Sequence, residues 1–334
     1  MDYYSITSDA RLIVLRILRY SGNMGNILFI ICSSYFLVNS SRSKKEKALG
    51  ILLDSMIISI GIFVCFVASC EIFGFNYNFG FLGVLSHLLP DLFENMWFVP
   101  AYVFFYLLHP YLNLALRSMG QKKHFYICLL IFFIYQLGGL IYTAPAYSSL
   151  MGFVFIYILI SYLHLYRSDL VRNKKLNLIV FFSELVIFVA TVVLRNLLAP
   201  TFGELERYPN IDGLVSIVLL PMLTSLFCLF LNMDFSSHFI NKLASCSLFI
   251  YCIHENRILR EDIRPRYYEY VLGRFGDDRA VLFALICAFG MFVGASALAL
   301  LYRCTFHRLT QKWVPTIKKQ IISLFDSLYQ KCTP

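Results

Sequence analysis

The chain has 334 residues, 59% of them hydrophobic and only 15% charged, and its mean hydropathy is +0.68. A soluble domain carries about a quarter charged residues, so 32 Phe and 22 Tyr on this background exclude a water-exposed globule and define a polytopic membrane protein. The net charge of +9 resides in short loops between apolar runs, a pattern that membrane orientation and anionic head groups explain without a nucleic-acid partner.

In chain order, residues 1–10 (MDYYSITSDA) lack the basic start and apolar core of a cleavable signal peptide. The hydropathy pattern then predicts an all-α bundle of about nine spans, near 23–38, 49–73, 96–116, 124–142, 149–166, 176–198, 213–232, 239–256 and 280–302. Residues 80–93 (GFLGVLSHLLPDLF) are apolar but brief and interrupted by Pro90, which suggests a re-entrant or interfacial segment. Basic loops at 39–48, 117–123, 167–175 and after 302 alternate with acidic or neutral ones at 74–95, 143–148 and 199–212. Basic loops mark the cytoplasmic side, so the N-terminus is expected outside and the C-terminus inside. The 257–279 loop breaks the pattern with six arginines, and Glu261 and Asp262 among them suggest a folded external cap. Residues 304–334 alternate apolar and basic positions at helical spacing, broken by Pro315, as expected of an amphipathic cytoplasmic tail on the inner leaflet. No linker or internal repeat divides the chain, so it reads as a single domain over 1–334.

The span from Glu94 to Leu116 holds no formal charge, yet it carries Asn95, Trp97, His109 and two prolines, Pro100 and Pro110. A purely lipid-facing anchor needs none of these, so the segment is expected to face protein or a wet cavity. Asn95, Trp97 and Tyr102 are candidate cavity residues, or, for Trp97, an interfacial anchor. Tyr251, His254, Glu255 and Asn256 form the strongest polar cluster. A histidine beside a carboxylate can act as a general base, or can simply mark the exit from the membrane into water. Arg42, Lys44, Lys45 and Lys47 can hold the phosphates of a nucleotide-like donor, or serve only as an orientation signal. Asp54, Glu184 and Arg195 are costly within or near spans and need partners that the sequence does not name. The ten cysteines have no CxxC pair and read as core hydrophobes, so neither a disulfide frame nor a metal site is suggested. The chain has no GxxxxGK[ST], HExxH or GxSxG motif, and no pair of interrupted spans recurs in two halves, which weakens an inverted-repeat transporter.

Three stretches resemble integral-membrane acyltransferase family 3, whose members O-acetylate bacterial surface polysaccharides. NMGNILFIICSSYFLVNSSRSKKE is similar to an early span of the pattern GNxGVxxFFxISGYFLV with its basic loop. ENMWFVPAYVFFYLLHPYLNLAL is similar to LWFlxxylxxYLlsPfLN, and LASCSLFIYCIHENRILR to lgIYliH. The resemblance implies about ten helices and transfer of an acyl group, usually acetyl from acetyl-CoA, to a sugar hydroxyl. Acetyl-CoA would be a co-substrate with no tightly bound cofactor, the acceptor a glycan or lipid-linked glycan, and the setting a bacterial inner membrane. Carried over, Arg42, Lys44, Lys45 and Lys47 would bind the donor. Asn95, Trp97, Phe98 and Tyr102 would line the substrate cavity, and His254 with Glu255 would be catalytic. Two departures stand out. The family's Ser-Gly is Ser33-Ser34 here, and the family's first helix carries an arginine and, about eleven residues later, a histidine. Residues 1–22 contain Arg11, Arg16 and Arg19 but no histidine, which implies a chain shortened at its start and leaves its activity in question. A transporter or flippase of lipid-linked sugars, which would not need acyl-CoA, is the alternative, as is an inactive relative.

Overall fold

A computed structural model describes residues 9–75, 77, 79–93, 96–137, 149–198 and 213–332, and among them every regular element is helical. The first helices are α1 (Asp9–Tyr20) and α2 (Met24–Leu37), joined by a 3-10 turn over Ser21–Asn23, so helix extends well ahead of the first expected span. Three arginines in α1 made it too polar to register as a span, although its apolar positions repeat at helical spacing and pack against α8 below. Next comes α3 (Lys45–Phe73), which ends where Gly74 adopts φ 70° and closes the helix through its N–H to the Cys70 carbonyl. The short α4 (Phe81–Leu88) spans eight residues, about 12 Å of rise, too little to cross a bilayer.

The helix α5 (Phe98–Ile131) joins two expected spans and the basic loop between them into one helical run. It breaks only at Gly120, whose φ of 73° and ψ of 172° are open to glycine. Pro110 lies inside it, and a π turn, Phe132–Leu137, follows. Then come α6 (Ser149–Tyr166), α7 (Ser168–Arg172), α8 (Lys174–Leu198) and α9 (Leu219–Leu231). The expected span at 239–256 is two helices, α10 (His238–Ala244) and α11 (Ser247–His254), parted at Ser245-Cys246. The Arg303 guanidinium donates to the Ser245 hydroxyl and the Lys242 carbonyl at that break, taking up polar groups that a continuous helix would use internally. A π turn over Ile258–Ile263, α12 (Arg264–Phe275), α13 (Ala280–Cys304) and α14 (Phe306–Cys332) complete the chain. The tail helix α14 runs through Pro315 rather than breaking there, with buried Thr310 and Val314 ahead of the proline and Lys318 paired with Glu46 beyond it.

Among the described residues, five helical runs are long and apolar enough to span a membrane: Lys45–Phe73, Phe98–Tyr135, Ser149–Tyr166, Lys174–Leu197 and Ala280–Cys304. Their apolar residues are largely exposed, among them Phe182, Val186 and Leu194 on α8 and Phe289 and Leu298 on α13. A soluble protein would hide such faces, whereas lipid solvates them. The chain is therefore a multi-pass helical membrane protein.

By its internal contacts the chain divides into two compact units, Met1–Ser43 with Leu108–Phe235, and Lys44–Leu107 with Ser236–Pro334. In the first, α2 packs on α6 and α9, and α9 packs on α8. Its core comprises Ile27, Ile30, Ile31, Phe153, Ile156, Tyr157, Phe188 and Leu219. Ser34 on α2 and Ser161 on α6 are fully buried among them, small residues of the kind that let membrane helices approach where lipid removes the hydrophobic drive. In the second unit α11 packs on α3 and α13, and α14 packs on α3 and α13.

Candidate functional site

The basic loop begins where α2 ends, and the last carbonyls of a helix lack intrahelical partners. Asn113 supplies them. Its Nδ2 donates to the carbonyls of Leu37 (3.0 Å) and Ser40 (2.8 Å), and its Oδ1 accepts from the Tyr157 hydroxyl. One turn further along α5, Arg117 Nη2 donates to the Val38 carbonyl and Asn39 Oδ1, both at 3.0 Å. Asn39 Nδ2 in turn meets His164 Nε2 at 3.1 Å. This frame opens into a cavity of about 610 Å³ lined by Asn39, Ser40, Arg42, Asn113 and Arg117, with Tyr111 beside them. Two arginines in the lining suit an anionic ligand, the Asn39, Ser40 and Asn113 donors being already engaged within the frame, and the size lies within the usual range for small-molecule sites. The whole cavity belongs to the first unit. Asn113 and Arg117 were not singled out from sequence as cavity residues; an asparagine three positions after Pro110 inside a span was the available signal.

In the second unit, the α5 residues Phe98, Tyr102 and Tyr106 recur every four positions and face the same way. Phe98 and Tyr102 stack at 6.1 Å between ring centroids, and Tyr102 and Tyr106 at 6.5 Å. Tyr251 meets Phe98 at 5.1 Å, and His254 meets Tyr251 edge-on at 5.8 Å. At the other end Lys47 lies over the Tyr106 ring at 5.1 Å, and the Lys44 backbone N–H donates to the Tyr106 hydroxyl at 3.1 Å. Phe98 through Tyr106 covers about 12 Å of helix. One row of rings thus connects His254 with Lys44 and Lys47. Phe98 and Tyr102 are buried in it, and Trp97, half-buried, touches the Phe98 ring at 5.6 Å. Lys45 is exposed at the start of α3, and Asn95 lies outside the described residues.

His254 Nδ1 lies 2.8 Å from the Ile250 carbonyl, which only accepts, so Nδ1 carries the proton and Nε2 is the basic nitrogen. Nε2 is 3.6 Å from Glu255 Oε1, beyond hydrogen-bond reach. Glu255 is engaged elsewhere, at 3.2 Å from Arg264 and 3.7 Å from Arg260. Arg264 also donates to the His254 carbonyl. The arginine-rich segment is folded as helix, with Arg257 and Arg260 on Glu261 at 2.7 and 2.9 Å and Tyr77 donating to Asp262. Pairing with carboxylates accounts for three of the six arginines in this segment, Arg257, Arg260 and Arg264, and Arg266 lies over the Tyr77 ring. Arg195, on α8, lies 5.5 Å from the centroid of the Tyr20 ring of α1, and Glu184 is half-buried on the same helix.

Asp54, fully buried on α3, is the hub of a network that the sequence did not reveal. Its Oδ1 accepts from the hydroxyls of Tyr302 (2.7 Å) and Thr310 (2.9 Å), and its Oδ2 lies 2.9 Å from His307 Nδ1. Asp91, in the turn between α4 and α5, accepts from the Ser55 hydroxyl at 2.5 Å, while its Oδ1 is buried with no hydrogen-bond partner among the described residues. Burial pushes the Asp91 carboxyl up to about 6. The unfolded chain ionises first, near 4, so stability is expected to be greatest below about pH 4. It should fall by up to about 3 kcal/mol as pH rises to about 6, and stay level beyond. Asp91→Asn should therefore melt higher than wild type above pH 6 and lose that advantage below pH 4. Thermal unfolding in detergent across pH checks this, and a pH-independent gap would show the carboxyl to be ordinary.

A helical bundle with long apolar spans, an arginine-lined cavity and a buried row of rings defines the class: a multi-pass helical membrane protein. The family model described as an acyltransferase domain matches residues 2–301, nearly the whole chain, and the chain belongs to acyltransferase family 3. No curated protein and no solved structure matches it. Among the described residues no cluster of three or more His, Cys, Asp or Glu side chains is placed to hold a metal ion.

Proposed function

We propose that this acyltransferase moves an acyl group, acetyl in the simplest case, from acyl-CoA to a hydroxyl of a cell-surface or exported polysaccharide in the inner membrane of a bacterium. The observation that carries the reading is the cavity at the basic loop, which Arg42 and Arg117 line together with Asn39 and Ser40. Acyl-CoA is a phosphate-rich donor, and arginine forks with neutral donors recognise phosphate well. Lys44, Lys45 and Lys47 follow directly in the chain, at the start of α3. The acceptor is a glycan, free or lipid-linked, and membrane lipid surrounds the spans. The reaction is direct transfer: the acceptor hydroxyl loses its proton to a base, its oxygen bonds to the thioester carbonyl carbon, and the C–S bond breaks to release CoA. His254, with its basic Nε2, is one imidazole able to take that proton.

Purified wild-type protein should bind acetyl-CoA, measured by calorimetry in detergent. Arg42→Ala and Arg117→Ala should each weaken binding by about 10-fold, the value of one lost charge-assisted hydrogen bond. The effect should shrink in high salt for exposed Arg42. A sugar-lipid flippase needs no acyl-CoA, so absence of binding would move the assignment to that class.

A further inference from the structure

The second imidazole is His307, and its surroundings differ from those of His254 in the feature that makes a base effective. Asp54 divides its two oxygens. Oδ1 is taken by Tyr302 and Thr310, which secure α13 and α14 to α3. Oδ2 faces His307 Nδ1 at 2.9 Å. A carboxylate only accepts, so Nδ1 carries the proton and Nε2 is the basic nitrogen. Nε2 has no partner among the described residues, the side chain is 29% exposed, and the Phe249 ring lies 5.0 Å away.

We infer that His307 and Asp54 form a histidine–carboxylate dyad in which His307 Nε2 accepts the proton of the hydroxyl acceptor during acyl transfer and Asp54 is its positioning residue. The inference rests on the acyl-CoA reading above. In the step, the acceptor O–H proton passes to Nε2 and the oxygen bonds to the thioester carbonyl carbon. The C–S bond breaks, and the imidazolium returns its proton to the CoA sulfur, so the enzyme is unchanged. The imidazolium formed midway would lie against the Asp54 carboxylate, the arrangement by which an oriented carboxylate assists a histidine base. His254 has no equivalent. Its Nδ1 meets a neutral carbonyl, its adjacent carboxylate is held by Arg260 and Arg264, and a proton gained there would sit among cations.

Placement also favours His307. Asp54 follows Lys45 by nine residues on α3, about 13 Å of helix. Seven residues separate Lys47 from Asp54, which puts both on one side of that helix. A donor whose phosphates rest at the start of α3 would extend its thioester along the helix toward the dyad. His307 lies beyond residues 2–301.

The test uses full-length protein in detergent micelles containing octyl glucoside, whose sugar hydroxyls serve as acceptor. Acetyl-CoA is the donor, and CoA thiol release is followed with and without the sugar detergent. His307→Asn retains a donor for Asp54 but supplies no base. It should fold with an unchanged melting temperature, bind acetyl-CoA as wild type does, and turn over roughly 100-fold or more slowly. His307→Ala should regain part of its rate with added imidazole, a response that a merely structural histidine cannot give. Asp54→Asn should lower kcat with little change in KM. Retention of wild-type turnover by His307→Asn, with loss in His254→Asn, would overturn the dyad and leave the acyltransferase reading standing. Binding of acetyl-CoA by wild type with no thiol release in either medium would also overturn it. A wild-type protein that neither binds nor consumes acetyl-CoA would overturn both.

Discussion

Asp54→Ala is expected to destabilise the protein by about 3 to 5 kcal/mol and to release the tail helix α14 from α3. The carboxylate is the common acceptor of Tyr302, Thr310 and His307, which arrive from two helices far along the chain. Truncation leaves the Tyr302 hydroxyl and the His307 N–H without their acceptor, and each group stranded in this way costs about 1–3 kcal/mol. Thr310 retains its second acceptor, the His307 carbonyl at 2.8 Å, so its share is the smallest. The cavity left by the lost carboxyl adds to the cost. Asp54→Asn keeps one acceptor oxygen and should lose about half as much. Melting in detergent gives the magnitude, and limited trypsin digestion gives the location, with faster cleavage after exposed Arg308 and Lys312 expected in the alanine variant. An alanine variant with wild-type melting and digestion would show that the tail is held by Val314 and Lys318–Glu46 rather than by Asp54.

Asn113→Leu is the second large effect, with an expected loss of about 2 to 4 kcal/mol and a roughly 10-fold weaker grip on acetyl-CoA. Leucine keeps the branching of asparagine while replacing both polar atoms with methyl groups, so the cost is chiefly that of lost hydrogen bonds. The Ser40 carbonyl loses its donor, the Leu37 carbonyl keeps only the Ser40 N–H, and the Tyr157 hydroxyl loses Asn113 Oδ1, around a residue only 7% exposed. The end of α2 is then held to α5 through Arg117, by Val38 and Asn39. Tyr157→Phe removes one hydrogen bond but leaves both carbonyls served, so it should cost about 1 kcal/mol and leave donor binding near wild type. Equal effects from the two variants would mean that Asn113 acts through Tyr157 and not through the loop.

The candidate site was legible in the sequence to the extent that its chemistry is local. Lys44 and Lys47 follow one another on one loop and helix start. His254 and Glu255 are neighbours, and Phe98 and Tyr102 share a helical face at a spacing of four. The structure links them in one row of rings through Tyr251 and Tyr106. Glu255 is different: its sequence neighbour suggests a partnership with His254, but two arginines nine residues or fewer away hold it instead. Asp91 gave no sequence signal, since a carboxylate in an apolar turn reads as a loop residue until Ser55 of a different helix is found against it.

By itself the sequence determined the solvent of this protein. Long uncharged runs leave the backbone no option but helix in lipid, and charge confined to loops sets their boundaries, so the helical bundle followed from composition and pattern, and the family from the resemblance of three stretches. Only the tertiary structure decided which polar groups meet. His307 reaches Asp54 across 253 residues, and Asn113 reaches the end of α2 across 76. The same geometry split the expected span at 239–256 and carried α5 through its basic stretch and α14 through Pro315. Periodicity reports which face of a helix is apolar, but a buried polar residue is satisfied by whatever the packed neighbours present, and that is a property of the assembled bundle.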